Sequence, residues 1–329
     1  MSTRDRILQA LRSADDHVSG GRLASDLGVS RSAVWKHIQR LRREGHAIAA
    51  RPRRGYRLLG PRDVLTPEAI ALHLRTSVIG RHIEHREITG STMDDARQLA
   101  LEGAEEGTVV VAELQTGGRG RRGREWLSPR SCGITASTIL RPPIPPSMAQ
   151  HISLLAALGV AAGVREATGA LAAVKWPNDV VLDGRKLGGV LIELMAEADR
   201  IGAAIVGIGL NVNGRACDLA PRLAESATTL EDHLGHPADR VKVLCGVLNA
   251  IDGLYGDFCA NGPEGLLARW RAADVCLGQW VTGVAGGAEI EGRAVGIRQD
   301  GALEIAPPHG LPKFLLAGDV SVRRNADGQ

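Results

Sequence analysis

Two stretches of the chain hold residues suited to chemistry on anions. Residues 117–126 read Gly-Gly-Arg-Gly-Arg-Arg-Gly-Arg-Glu-Trp, four arginines and four glycines in ten positions. Glycine permits close backbone approach and unusual turns, and each guanidinium offers a fixed fork of donors for phosphate or carboxylate. The stretch describes a basic loop that could close over an anion. A solvated basic loop or a nucleic-acid tract has the same composition. The second stretch runs Val174-Lys175-Trp176-Pro177-Asn178-Asp179, then Arg185-Lys186-Leu187-Gly188-Gly189-Val190, with Asn211 and Asn213 further on. Here polar residues stand in or beside apolar strand sequences. A buried, unpaired lysine is costly, so Lys175 and Lys186 need partners. An internal ion pair, for example Lys175 with Asp179, is one solution. A ligand is the other, and glycines beside Lys186 would let it lie close to the backbone. A third polar group, Ser91-Thr92-Met93, opens a helical pattern ending near Glu102. Ser91 or Thr92 can cap that helix, or the same exposed N-terminus can hold a polar ligand group.

These residues need elements to position them. Thr66-Pro67-Glu68 reads as a helix start with proline at the first position, running to Leu74. Strands are expected over 83–88, 108–113 and 131–140, and a helix over 151–168 that is apolar nearly all round and therefore packed on a sheet. Residues 174–182 and 185–194, joined by an Asp183-Gly184 hairpin signal, and residues 203–213 complete a meander. The result is an α+β body with a mostly antiparallel sheet rather than a dinucleotide-binding repeat. Residues 215–225 read as a loop, 228–234, 238–258 and 266–271 as helices. The tail alternates short strands with glycine turns (279–284, 289–297, 302–305, 313–322), the pattern of a small SH3-like β-barrel.

Charge divides the chain. The net charge of +3 hides 13 Lys/Arg against 5 Asp/Glu in residues 1–60, a local net of +8 that leaves −5 for the remainder. A basic N-terminal module on an acidic body points to a polyanion partner. Its pattern is a short helix containing Ile7, Leu8 and Leu11, a second over 21–27, a Gly28-Val29-Ser30 turn, and a third helix capped by Ser30 and ended by Gly45. Ala33, Val34, Ile38 and Leu41 point inward on the third helix and basic residues point outward. That is helix-turn-helix geometry, and a basic Pro/Gly turn between two strands at 47–58 makes it winged. Arg31, Ser32 and Lys36 are placed to reach base edges, with Arg40 on the same helix and Arg53 and Arg54 of the wing at phosphates. A small helical interaction domain with a solvated basic face is the plainer alternative.

The five cysteines are odd in number and show no C-x-x-C pairing, which fits a reducing compartment better than a disulfide or zinc framework. The N-terminus shows no signal-peptide pattern, and the longest apolar run, 154–164, is short for a bilayer span. A cytoplasmic protein with no membrane partner is expected.

The order GGRGRRGREW, KWPNDV, RKLGGVLIEL, GIGLNVN resembles biotin protein ligase, and the winged helix makes the chain similar to the bifunctional bacterial class that also represses biotin genes. The resemblance covers essentially the whole chain. It implies a class II synthetase-like biotin/lipoate ligase fold between a winged helix (1–62) and an SH3-like barrel (274–329), the catalytic domain being 63–273. It implies that biotin and ATP, with Mg²⁺, form biotinyl-5′-AMP, and that the acceptor lysine of a biotin carboxyl carrier domain then takes the biotin. It places Ser91, Thr92, Met93 and Gln115 at biotin, with Arg119, Gly120 and Arg121 in the loop above it. Lys186 lies near the carboxylate and α-phosphate; Lys186, Arg119 and Arg121 are the catalytic set. Gly118, Lys175, Trp176, Asn178, Gly189, Asn211 and Arg323 fall on the nucleotide side and Asp179 at the metal. The family often has Ser-Thr-Asn where this chain has Ser91-Thr92-Met93, so an amide contact is lost or replaced by backbone. Operator DNA, and a homodimer formed on binding biotinyl-5′-AMP, are the further partners implied. A ligand-sensing transcription factor without catalysis and a lipoate ligase are the alternatives.

Overall fold

A computed structural model describes residues 2–14, 16–43, 46–51, 54–196, 200–216, 225–285, 288–316 and 318–322. The N-terminal module opens with α1 (Thr3–Arg12), started by a capping box between Ser2 and Asp5. α2 (Gly20–Leu27) ends where Gly28 takes a left-handed conformation, φ 65°. α3 (Arg31–Arg43) follows, and Ala33 N donates to Ser30 Oγ at 3.1 Å, the cap that the sequence predicts. β1 (His46–Arg51) and β2 (Gly55–Arg62) pair antiparallel as the wing. Ile7, Leu11, Leu23, Val34, Ile38, Leu41 and Ile48 form the module's own core.

In the body, α4 (Pro67–Ala71) is shorter than the sequence suggests, becoming a turn after one helical turn and a half. The strands are β3 (Ile83–Arg86), β4 (Val109–Ala112), β5 (Gly133–Leu140), β6 (Ala173–Lys175), β7 (Asp179–Leu182), β8 (Arg185–Ala196) and β9 (Ile201–Asn211). They form one seven-stranded sheet in the order β3-β4-β5-β9-β8-β7-β6. β3 and β4 are parallel and every other neighbour is antiparallel, so the sheet is mixed. Residues 174–182 divide into two strands, because the chain reverses over Trp176-Pro177-Asn178. The hairpin turn at Asp183-Gly184 has φ of 52° and 71°, the left-handed pair that the Asp-Gly signal predicts.

α5 (Thr92–Leu101) covers β4, β5 and β9 on one face, with Met93, Ala96, Ala100, Val110, Ile139, Ala203 and Ile205 between. α6 (Ala149–Thr168), α7 (Leu230–Leu234), α8 (Arg240–Asn261) and α9 (Glu264–Ala273) complete the helices described. α6 and α8 pack on each other backbone to backbone: a Cβ at Gly163 would lie 2.3 Å from Val247 N, and one at Gly246 2.8 Å from Gly163 O. Both are long and apolar enough to span a bilayer, yet most of each is buried in this core.

β10 (Trp280–Ala285), β11 (Ala288–Ile297), β12 (Leu303–Ala306), β13 (Lys313–Leu315) and β14 (Asp319–Val322) form an antiparallel sheet, order β13-β12-β11-β10-β14. The expected strand over 313–322 is two strands on opposite edges. Among the described residues these edges do not pair, so the ladder is an open sheet rather than a closed barrel. The apolar core runs unbroken from the central sheet through Trp270 and Cys276 into Val281, Ile305 and Leu315.

Candidate active site

The Arg/Gly loop is a small hairpin. Trp126 N donates to Gly118 O at 2.9 Å and Gly120 N to Arg124 O at 2.6 Å. Its tip, Arg121–Gly123, is a 3₁₀ turn with Arg122 at φ 56°. Protein acceptors hold it at both ends. Arg119 makes a bidentate pair with Asp94 at 2.7 and 2.6 Å and lies 3.5 Å from Glu193. The Asp94 bonds raise the Arg119 guanidinium and hold the Asp94 carboxyl below its ordinary range. Asp319 of β14 faces Arg121 at 3.6 Å and Arg122 at 3.5 Å, and pairs closely with Arg124. Arg121 also donates to Gly318 O at 2.9 Å and Asn178 Oδ1 at 3.2 Å. Burial pulls its guanidinium down, against the Asp319 charge.

Beneath the hairpin, Lys186 Nζ lies 2.5 Å from Asp179 Oδ1. The alternative pair raised by the sequence, Lys175 with Asp179, is therefore replaced by Lys186 with Asp179. β7 sets Asp179 opposite Gly189, and a Cβ at Gly189 would sit 3.3 Å from Lys186 Nζ, so glycine there leaves the ammonium room. Asn178 Nδ2 donates to Val190 O at 2.5 Å, tying the Trp176-Pro177-Asn178 reversal to β8. Asn211 Nδ2 donates to Thr228 O at 3.1 Å.

At the start of α5, Ser91 Oγ accepts from Met93 N at 3.3 Å and caps the helix. Thr92 N and Oγ1 both donate to Gln115 Oε1, at 2.7 and 3.0 Å. The Gln115 carboxamide is thereby oriented by α5.

These groups enclose one cavity of about 480 Å³. Its floor is the face of β9 where Gly207 and Gly209 alternate. A Cβ at Gly207 would meet Met93 Sδ at 2.6 Å, and one at Gly209 would meet the Trp126 ring at 2.4 Å. Both large side chains lie against bare backbone. Trp126 Nε1 is buried and has no protein hydrogen-bond partner among the described residues. The cavity joins a slot with an apolar floor to a cationic rim, which suits a ligand with an apolar body and an anionic end.

The profile of the Biotin/lipoate A/B protein ligase family matches residues 86–211, and that of an HTH domain matches residues 3–57. The bifunctional ligase/repressor BirA of Bacillus subtilis is 36% identical over 314 residues, covering 95% of this chain and 97% of that protein. The Escherichia coli bifunctional ligase/repressor BirA is 30% identical, with 97% and 96% covered. The biotin protein ligase of Aquifex aeolicus in complex with biotin and ATP superimposes with a TM-score of 0.64 at 31% identity, covering 74% of this chain and all of that one (100%). The chain belongs to the biotin/lipoate protein ligase family.

Ser91, Thr92, Met93, Gln115, Arg119, Gly120, Arg121, Lys175, Trp176, Asn178, Asp179, Lys186, Gly189 and Asn211 all line the one cavity. Gly118 stands behind the wall, where a Cβ would lie 2.7 Å from Trp126 O and 3.0 Å from Gln115 Nε2. Arg323 and Arg53 lie outside the described residues. Met93 is a buried wall residue against Gly207. Arg31, Ser32, Lys36 and Arg40 are exposed on α3, and Arg54 is exposed on the wing with Asp16 at 2.8 Å.

Sequence reasoning missed Gly207, Gly209, Trp126 and Asp319 as site residues. The alternating glycines of a strand signal a close approach on one face and could have marked the floor. Asp319 arrives from almost two hundred residues away with no local signal. A buried junction was also missed. Arg240, fully buried at the start of α8, donates to Asp63 Oδ2 at 3.1 Å, Asp63 O at 2.6 Å, Gly133 O at 3.0 Å and Glu113 Oε2 at 2.8 Å. Glu113 also accepts from Leu65 N at 2.9 Å and Ser131 Oγ at 3.0 Å. One guanidinium thus gathers the exit from the wing and the two strand ends, after β4 and at the start of β5, between which the hairpin loop is carried.

Proposed function

We propose that the chain is an ATP-dependent biotin protein ligase that also binds DNA as a repressor of biotin genes. The observation that carries this is the cavity under the hairpin. An apolar slot floored by Gly207 and Gly209 opens under Arg119, Arg121 and Lys186, in a chain that begins with a winged helix.

The chemistry fits those charges. A biotin carboxylate oxygen attacks the α-phosphorus of ATP, the bond to the β-phosphate oxygen breaks, and pyrophosphate leaves. The acceptor lysine's amine of a biotin carboxyl carrier domain then attacks the acyl carbon, the bond to AMP breaks, and the amine loses its proton. Both anions of the first step converge on one place, so fixed cations there stabilise charge that develops in the transition state. Lys186 and Arg121 are assigned that work and Arg119 the loop's closure over biotin. Ser91, Thr92 and Gln115 orient the biotin ring, with Met93 as wall. Lys175, Trp176, Asn178, Gly189 and Asn211 form the nucleotide side, with Gly118 shaping the hairpin behind it and Arg323 completing it.

Magnesium arriving with the triphosphate suits Asp179, because Mg²⁺ binds through one or two carboxylates plus phosphate oxygens. Among the described residues no three His, Cys, Asp or Glu side chains converge to form a protein-only metal cage. Bound there, the ion would offset phosphate charge.

The division 1–62, 63–273 and 274–329, the reading of the last part as an SH3-like domain whose described strands form an open sheet, dimerisation with biotinyl-5′-AMP and a cytoplasmic location belong to the same proposal. Incubation with biotin, Mg-ATP and a biotin-accepting carrier domain tests the enzyme: biotin on the carrier lysine is expected, and none from folded protein overturns it.

A further inference from the structure

α3 carries an aromatic residue that neither the module's core nor the cationic face accounts for. Val34, Ile38 and Leu41 are at most 1% exposed and point into the module. The outward face consists of two rows at i, i+4 spacing: Ser32–Lys36–Arg40, and Arg31–Trp35–Gln39. Trp35 is 53% exposed, and among the described residues of the N-terminal module it alone of the large apolar side chains is exposed. The core of nine buried residues closes without it.

Its neighbours say what should cover it. The 13 residues of α3 include no acid, and Arg31, Lys36 and Arg40 are exposed around the indole. A polyanion fits this face better than an ordinary protein surface. Arg31 itself leans back over α2, since a Cβ at Gly21 would lie 3.0 Å from its Nη2. Trp35 is therefore the bulkiest group left facing outward on its row. In helix-turn-helix proteins this face of the second helix enters the major groove. There, the base-edge group that an apolar side chain can read is the thymine C5-methyl, the other features being hydrogen-bond donors and acceptors.

We infer that Trp35 is a specificity-determining residue that reads thymine by apolar contact in the major groove, beside the phosphate-binding cations of α3 and the wing. The inference rests on the DNA-binding reading given above and adds to it which base is sensed and by what. Trp35 contributes to sequence choice and not to the salt-dependent attraction.

The test uses the full chain with biotin and Mg-ATP. Wild-type protein first selects duplexes from a random pool. Affinity is then measured on the selected duplex and on copies with deoxyuridine replacing thymine one position at a time. For wild type, at least one replacement should weaken binding about fourfold, the value of one buried methyl-sized group. Trp35→Ala should lose at least as much on the thymine duplex and become indifferent to that replacement. Its salt slope, its affinity for random DNA and its biotin transfer should match wild type. Trp35→Leu, which keeps an apolar surface, should retain part of the thymine preference. The inference is overturned if Trp35→Ala binds the selected duplex as wild type does. It is equally overturned if that variant keeps the full thymine preference, or loses selected and random DNA alike. Should wild type select no sequence, the DNA-binding reading falls with it; selection by wild type with an indifferent Trp35 removes this inference alone.

Discussion

At the scale of single residues, the proposed mechanism depends on holding cations where two anions must meet. Lys186 is positioned through Asp179 at 2.5 Å and by the space that Gly189 leaves, not by chance packing. Lys186→Gln keeps length and removes charge. Loss of one fixed charge donor at a developing anion costs on the order of 10²-fold in rate, so biotin-dependent exchange of pyrophosphate into ATP should fall by about that much. Transfer from pre-formed biotinyl-5′-adenylate should be far less affected; the opposite pattern would move Lys186 to the second step. In the proposed mechanism Arg121 serves retention of the adenylate as well as the first step. Its Nη1 is already oriented by Gly318 O and Asn178 Oδ1, so Arg121→Ala should leave the fold intact and speed adenylate release roughly tenfold, the worth of one charge-assisted hydrogen bond. Unchanged off-rates in a chase experiment would remove Arg121 from the clamp. Asp319 complicates this picture: it shares one carboxylate among Arg121, Arg122 and Arg124, all at least partly exposed, where single ion pairs stabilise little.

At the scale of elements, the buried Arg240 junction makes predictions that the sequence could not. Burial pushes the Asp63 carboxyl up to about 6 despite the Arg240 charge beside it. Burial also raises Glu113, but the Arg240 charge and the Leu65 and Ser131 donors outweigh it and leave that carboxyl lowered. The signs differ. The folded protein binds the Asp63 proton more tightly than the unfolded chain, so stability falls as pH rises from about 4 to about 6 and is then constant. Glu113 contributes stability that is present above its ordinary value and lost at lower pH, as pH falls through its lowered value. Asp63→Asn should flatten the fall between about pH 4 and 6 in urea melts, a term on the order of 3 kcal/mol at about 1.4 kcal/mol per pH unit. Glu113→Gln should instead destabilise by about 3–5 kcal/mol near neutrality, because it weakens the pairing of a fully buried guanidinium. A variant within about 1 kcal/mol of wild type would show that Asp63 alone compensates Arg240. What was legible follows from the same physics. α6 was readable because a helix apolar on all sides can only be buried, and the Asp183-Gly184 turn because its conformation is a local demand. The cationic hairpin, Lys186 and Asp179 were readable because polar residues in apolar strands need a reason. Arg240 was not, since a single arginine at a helix start looks like any surface charge until Asp63 and Glu113 meet it. The reversal at Trp176-Pro177-Asn178 was hidden because the apolar residues on either side continue the strand pattern across it.

At the scale of the whole molecule, charge separates the two activities. Residues 1–60 carry a net of +8 and the rest −5, so the attraction to DNA resides in the module that bears α3 and the wing, while the hairpin arginines Arg119, Arg121, Arg122 and Arg124 are engaged by Asp94, Glu193 and Asp319. One winged helix offers few cations for phosphate, chiefly Lys36 and Arg40 on α3 and the exposed wing arginines Arg51, Arg54 and Arg57. Each phosphate neutralised contributes about −0.9 to the slope of log affinity against log salt. A monomer using about five such contacts should therefore show a slope near −4 to −5, and a two-fold dimer seated on two half-sites about double that. The strands that carry the hairpin loop give a route for coupling the two states, because the end of β4, the start of β5 and the exit from the wing share the Arg240 junction. With biotin and Mg-ATP the slope on selected DNA should steepen about twofold, and sedimentation should report a dimer over the same ligand range. Arg121→Ala, which shortens adenylate residence, should shift both transitions to higher biotin concentration together. A slope that is the same with and without biotin, or a dimer that forms without changing it, would mean that ligand state acts on catalysis alone and that the winged helix binds DNA independently of the site.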